Sequence, residues 1–200
     1  LFTRRGKNNM SDVKSVLFVG VGGQGTILAS KILTIGLIEN GYDVKMSEVH
    51  GMSQRGGSVS TQVRFGEKVY SPIIGEGSAD ILISFEEMEA ARYAKFLKKD
   101  GKMVVNKMQI PSLPILSGAC SYPEGILEEL QKRVPITIVD ATKIATDLGN
   151  PKSANVVLLG ALIESLGLHN IDWKAIIAKI VKPAFVDINL KAFDAGMAAV

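Results

Sequence analysis

The feature that most constrains the fold is the run Gly20-Val21-Gly22-Gly23-Gln24-Gly25, set between an apolar stretch at 13–19 and an amphipathic one at 26–40. A segment apolar at nearly every position toward its end suits a parallel strand covered on both faces. Residues 26–40 carry apolar side chains at 28, 32 and 35 and again at 29, 33 and 37, and Gly41 closes the segment as a helix-ending glycine. A second strand at 42–49 completes a βαβ unit whose first turn is the glycine loop.

Beyond it, Val59, Thr61, Val63 and Phe65 alternate within 58–65, and Gly66-Glu67 turns the chain into 68–74. That pattern predicts an antiparallel hairpin inserted into the α/β rhythm. A strand at 79–85, a helix at 86–98 and, after an Asp100-Gly101 turn, a strand at 102–106 resume the rhythm. Residues 110–122, with Pro111, Pro114 and Gly118, read as an extended connection, 123–132 as a short helix opened by Pro123, and 136–140 as a strand. Helices follow at 141–148, 152–166, 172–181 and 186–198, divided by Asn150-Pro151, Gly167 and Pro183. The expected fold class is α/β: a Rossmann-like, mostly parallel sheet flanked by helices, with an inserted antiparallel hairpin and a helical C-terminal extension.

At 200 residues and 46% hydrophobic content the chain can bury one full core, so 11–200 reads as a single domain. Residues 1–10 read as an added leader, with Met10-Ser11-Asp12 as a native start. The net charge of +3 equals the contribution of Arg4, Arg5 and Lys7, which leaves no nucleic-acid footprint. Apolar runs such as 156–163 fall short of the roughly 20 residues a membrane span needs, so a soluble, cytoplasmic protein is expected. Cys120, the only cysteine, can form neither an internal disulfide nor, alone, a four-thiolate cluster, and reads as a small packing residue.

The first loop has two readings. Its glycines let the backbone approach a ligand while the free amides of the following helix attract an anion; equally, they permit a tight strand-to-helix turn that only packs. In a dinucleotide dehydrogenase Glu48, near the end of the second strand, is placed to bind a ribose. Against that stand the bulky Gln24 in the loop's mouth and the further glycine loop after the second strand. That second loop, Ser47-Glu48-Val49-His50-Gly51-Met52-Ser53-Gln54-Arg55-Gly56-Gly57, interleaves His50, Gln54 and Arg55 with glycines, an arrangement able to hold a phosphate or carboxylate. Alternatively, Gly56-Gly57 starts the next strand and Arg55 is solvated.

The two loops in this order, then Val63-Arg64 and Val69-Tyr70-Ser71-Pro72, closely resemble the gamma subunit or domain of 2-oxoacid:ferredoxin oxidoreductases, most of all the beta subunit of the indolepyruvate branch. Val104-Val105-Asn106, Tyr122-Pro123, Asp140-Ala141-Thr142 and the run from Gly149 to Gly160 extend the resemblance over 13 to about 195. It implies a complex that oxidatively decarboxylates an arylpyruvate, joins the acyl group to coenzyme A and reduces ferredoxin. Thiamine diphosphate, Mg2+ and 4Fe–4S clusters would lie on a large partner subunit, because this chain shows neither a Gly-Asp-Gly metal–diphosphate motif nor a cysteine cluster. The chain would bind no cofactor alone and be inactive alone. Gly20, Gly22, Gly23, Gln24 and Gly25 would lie near a phosphate; His50, Gly51, Met52, Gln54, Arg55, Gly56, Gly57 and Asn155 would lie at the subunit contact or site mouth. No catalytic residue and no metal ligand is assigned.

An NAD(P)-dependent oxidoreductase and a nucleotide-binding regulatory protein remain as alternatives. Among other polar residues, Glu86, Glu87 and Glu89 read as a solvated helix start suited to the helix dipole. His169 reads as solvated or capping, and Trp173 as a packing anchor. Asn155, in an otherwise apolar helix, must bond either across an interface or to backbone within the fold. The apolar faces of 152–181 are core, or else cover a partner or a second copy of the isolated chain.

Overall fold

The computed structural model describes residues 12–50 and 56–200. Six strands form one sheet, β1 (Lys14–Val21), β2 (Asp43–His50), β3 (Ser58–Gly66), β4 (Ala79–Ser84), β5 (Leu97–Asn106) and β6 (Ile136–Val139), in the order β2-β3-β1-β4-β5-β6. β1, β4, β5 and β6 are mutually parallel, whereas β3 runs antiparallel to both neighbours. Both faces are covered: Val16 and Phe18 of β1 join the larger core cluster, Leu17 and Val19 the smaller. The larger cluster is built with α1 (Thr26–Glu39), α5 (Ala141–Asp147), α6 (Ala154–Leu166), α7 (Trp173–Ile180) and α8 (Val186–Met197); the smaller with α2 (Glu87–Tyr93) and α4 (Ile126–Gln131). No helix among the described residues is long and apolar enough to cross a membrane.

The antiparallel hairpin exists, but its partners differ from those expected. β3 pairs with β2, from Asp43↔Gly66 to His50↔Val59, and inserts between β2 and β1, so the two strands of the βαβ unit are parallel without touching. Residues 68–74 form no strand. Pro72 lacks a donor, and side chains capture the segment instead: Asp43 accepts from the Val69 amide at 2.9 Å and Gln62 from the Ile74 amide at 2.5 Å. Arg64 donates to the carbonyls of Ser71 and Ile73.

Three other boundaries move. The helix expected over 86–98 ends at Tyr93, and β5 starts at Leu97 and continues through Asp100-Gly101, with a register shift against β4 in place of a turn. The helix expected from Pro123 begins at Ile126, with Gly125 as its N-cap, and 110–122 contains the short helix α3 (Leu113–Leu116). The apolar face of α6 is core: Asn155 through Ile163 are all buried, between α1, α5, α8 and β5. Trp173 is the expected anchor, 3% exposed, its indole N–H donating to Leu168 O at 2.8 Å.

Candidate functional site

The chain leaves β1 toward β2 and leaves β4 toward β5, on opposite sides, so the sheet's switch point lies at the carboxyl ends of β1 and β4. Crevices for ligands form at such points in open α/β sheets. The first glycine loop sits there, and Gln24 occupies the gap. Its Oε1 accepts from the Val21 amide at 2.7 Å, and its Nε2 donates to the Phe85 carbonyl at 2.8 Å. The amide that the sequence puts in the loop's mouth is therefore spent on backbone, stapling the end of β1 to the end of β4. A methyl group on Gly20 would lie 3.0 Å from Phe85 Cβ, so that joint is closely packed.

Gly25, the N-cap of α1, has φ +81°, and a methyl there would lie 2.5 Å from Asn155 Nδ2. Asn155 is buried and donates to the Gly25 carbonyl at 3.2 Å. Of the two partners left open for this amide, the fold supplies backbone. The two glycine loops are also laced together: the Gly22 amide donates to Gly57 O at 2.8 Å and the Gly56 amide to Gly22 O at 3.1 Å. Gly51, Met52, Gln54 and Arg55 lie outside the described residues.

Two cavities flank the first loop. One of about 410 Å³ lies between Gly22, Gly23, Gly25, Thr26 and Ile27 on one side and Glu48, His50, Val59 and Thr61 on the other. The first turn of α1 carries no acid, and its first helical bond is Ala29 N to Gly25 O, so the amides before it present the positive end of the helix to this cavity. Glu48 and His50, both exposed, bring β2 to the same space. The second cavity, about 460 Å³, lies beyond Gln24 and Gly25, lined by Phe85, Asn106, Met108, Thr142, Lys152 and Asn155 among others. Asn106 is a buried node there: it donates to Phe85 O and Thr142 Oγ1, each at 3.2 Å, and accepts from the Ala141 amide at 3.0 Å.

Glu86, Glu87 and Glu89 overturn the solvated expectation. They are only 1%, 6% and 4% exposed, and the segment after β5 bonds to Glu86 and Glu87. Glu86 caps α2 by accepting from the Glu89 amide at 2.9 Å, and its other oxygen accepts from the Ile110 amide at 3.1 Å and from the Tyr122 hydroxyl. Burial and the Glu86 carboxylate push the Tyr122 phenol far above its ordinary range. Glu89 accepts from the Ser58 hydroxyl, one residue after Gly57, and pairs with Arg92 at 3.3 Å. Burial, opposed by the Ser58 bond and Arg92, raises its pKa. These acids do stand at the amino end of α2, where the helix dipole favours them, but partners distant in sequence cover them.

His169 is half-exposed and 3.6 Å from Glu164. Cys120, expected to pack, is exposed. Among the described residues no group of three or more His, Cys, Asp or Glu side chains converges to hold a metal ion.

The model of the pyruvate ferredoxin/flavodoxin oxidoreductase family matches residues 15–199. The chain belongs to this family. Among curated relatives of this oxidoreductase chain, the indolepyruvate oxidoreductase subunit IorB of Pyrococcus horikoshii is 42% identical over 193 residues, covering 92% of this chain and 95% of the relative. The keto/oxoacid ferredoxin oxidoreductase gamma subunit from Geobacter sulfurreducens shares the fold at TM-score 0.69 and 24% identity, with 93% of this chain and 97% of that one covered. The 2-oxoglutarate:ferredoxin oxidoreductase from Magnetococcus marinus, solved with 2-oxoglutarate, coenzyme A and succinyl-CoA, matches at TM-score 0.70 and 22% identity. There the match covers 94% of this chain but 31% of the other, so the same fold also occurs as part of a longer polypeptide. The resemblance read from the glycine loops holds, and the chain is an oxidoreductase subunit that acts within a complex.

Proposed function

We propose that this chain is the small subunit of a thiamine diphosphate- and iron–sulfur-dependent indolepyruvate, or more broadly arylpyruvate, ferredoxin oxidoreductase, and that it completes the site where coenzyme A meets the thiamine-bound acyl group. The observation that carries this reading is the cavity that the glycine loop and the amino end of α1 form against β2 and β3. Its α1 amides suit a phosphate as donors and its Glu48 carboxylate suits a ribose hydroxyl as acceptor, and coenzyme A carries both groups. The second loop, from His50 through Gly57 and including Gly51, Met52, Gln54 and Arg55, would meet the partner at the rim.

The donor set does not fit the redox cofactors themselves. One exposed cysteine cannot supply four thiolates, and the described acids and histidines do not converge on a metal. Thiamine diphosphate with Mg2+ and the 4Fe–4S clusters therefore belong, in this reading, to a larger subunit, which passes electrons to ferredoxin. Thiamine supplies carbanion stabilisation and the clusters take the electrons. This chain contributes binding, orientation and closure over that chemistry.

Expressing the chain with and without the larger subunit and following coenzyme A-dependent dye reduction tests the reading. Indolepyruvate is expected to outrank phenylpyruvate, pyruvate and 2-oxoglutarate, with activity only when both chains are present. Absence of activity with all four acids sinks it. A second reading, nucleotide binding by this chain alone, draws on Glu48 sharing a cavity with the α1 amides; an NAD(H) thermal-shift titration of the isolated chain decides it.

A further inference from the structure

Between Ile110 and Tyr122 the chain makes an excursion whose two ends meet on one buried carboxylate. Glu86 Oε1 accepts from the Ile110 amide at 3.1 Å and from the Tyr122 hydroxyl, which itself accepts from the Met88 amide at 3.1 Å. Next to it Gln109 donates to Glu87 at 2.9 Å. Two acids taken out of water thus fix the base of a closed surface loop. Burying carboxylates is costly unless every bond is made, and a connection that only spans β5 to α4 needs no such base.

What the loop displays is apolar. Residues 108–123 contain no Asp, Glu, Lys or Arg, in a chain of which 22% is charged. Leu113 and Leu116, one turn apart on α3, are 78% and 70% exposed, flanked by exposed Pro111 and Pro114. Single exposed leucines are ordinary; a same-face pair on a charge-free, pinned loop has the composition of an interface core.

We propose that residues 111–121 form a preorganised knob that docks into an uncharged apolar groove of the larger subunit. The proposal rests on the subunit reading above. The knob continues directly from the site, because Met108 lines the cavity beside Gln24 and Asn155 and contacts the Gln24 amide at 3.7 Å. A subunit that closes over that cavity meets the knob as well. A second copy of this chain fits less well. Knob against knob offers two leucines a side, far below the roughly 1,600 Å² of a standard interface, and a knob set into another copy's cavity is a heterologous contact that tends to propagate.

The test uses the co-expressed complex. The double variant Leu113→Asp/Leu116→Asp is expected to copurify with the larger subunit roughly tenfold less or worse, as for loss of two apolar anchors, while the isolated variant keeps the wild-type circular dichroism and melting temperature. Independently of any mutation, Cys120, the only cysteine and exposed, reports on the knob. Its alkylation by a maleimide, read on its own peptide by mass spectrometry, is expected to slow roughly tenfold in the wild-type complex, as for a covered thiol. Undiminished assembly of the variant, or undiminished alkylation in an intact wild-type complex, overturns the knob and leaves the subunit reading standing. A wild-type dimer that the double variant dissociates overturns it in favour of a second copy. Failure of the wild-type chains to associate removes both.

Discussion

At the scale of single residues, Gln24 and Glu89 show how polar side chains in this site serve geometry first. Gln24 satisfies the Val21 amide and the Phe85 carbonyl, both on buried residues. In Gln24→Ala the Val21 amide loses its Gln24 acceptor while the Phe85 carbonyl keeps its bond from Asn106, so urea unfolding should show a loss of about 1–3 kcal/mol. A loss below 1 kcal/mol would mean that solvent replaces the staple. Glu89 titrates with the opposite sign to a paired carboxylate, because burial raises its pKa above the ordinary 4.5. Above pH 4.5 the folded protein keeps a proton that the unfolded chain releases. The stabilisation linked to this group is therefore full below that pH and is lost as pH rises through the folded value. Glu89→Gln, which does not titrate, should gain on the wild type as pH increases across that window. Denaturation midpoints for both proteins measured from pH 4.5 upward give the difference, and a flat difference would refute the raised pKa.

At the scale of elements, legibility followed how local the determinant was. β1, the glycine loop, α1 and the C-terminal helices announce themselves through periodicity and glycine punctuation within one window of sequence. The partner of β3 does not, because nothing in Gly66-Glu67 reveals that Asp43, Gln62 and Arg64 will bond the backbone of 69–74 and leave β2 as the mate. The site divides the same way. Gly22 and Gly25 were legible as loop glycines, but their bonds to Gly57 and Asn155 bring together distant parts of the chain. Asn106 and Glu86, nodes of the site, carried only the signal of a polar residue at or just beyond the end of an apolar strand. The crossing of α6 and α8 is a further long-range feature: methyl groups at Gly160 and Gly196 would collide with the Phe193 and Val157 carbonyl oxygens. Gly160→Ala must push the helices apart, at about 1–3 kcal/mol for overpacking. Chemical denaturation should show that loss, whereas Gly118→Ala, with open space around it but φ +78°, should show only the backbone penalty.

At the scale of the whole molecule, the helical extension belongs to the same core as the sheet. α6 is buried on every side, and α8 supplies one of its walls through Ala192, Phe193 and the glycine crossing. α6 also carries Asn155 to the Gly25 carbonyl, so the position of the glycine loop depends on the carboxyl-terminal helices. Removing residues 186–200 exposes the α8 side of α6 and deletes Phe193, a loss worth about 3–5 kcal/mol for that side chain alone. Set against a total margin of about 5–15 kcal/mol for a domain, the deletion should abolish cooperative unfolding. Calorimetry of the truncated chain should show no sharp transition, and the chain should bind a hydrophobic dye in buffer. A cooperative transition within about 1 kcal/mol of the full chain would make the extension an appendage and detach the geometry of the glycine loop from it.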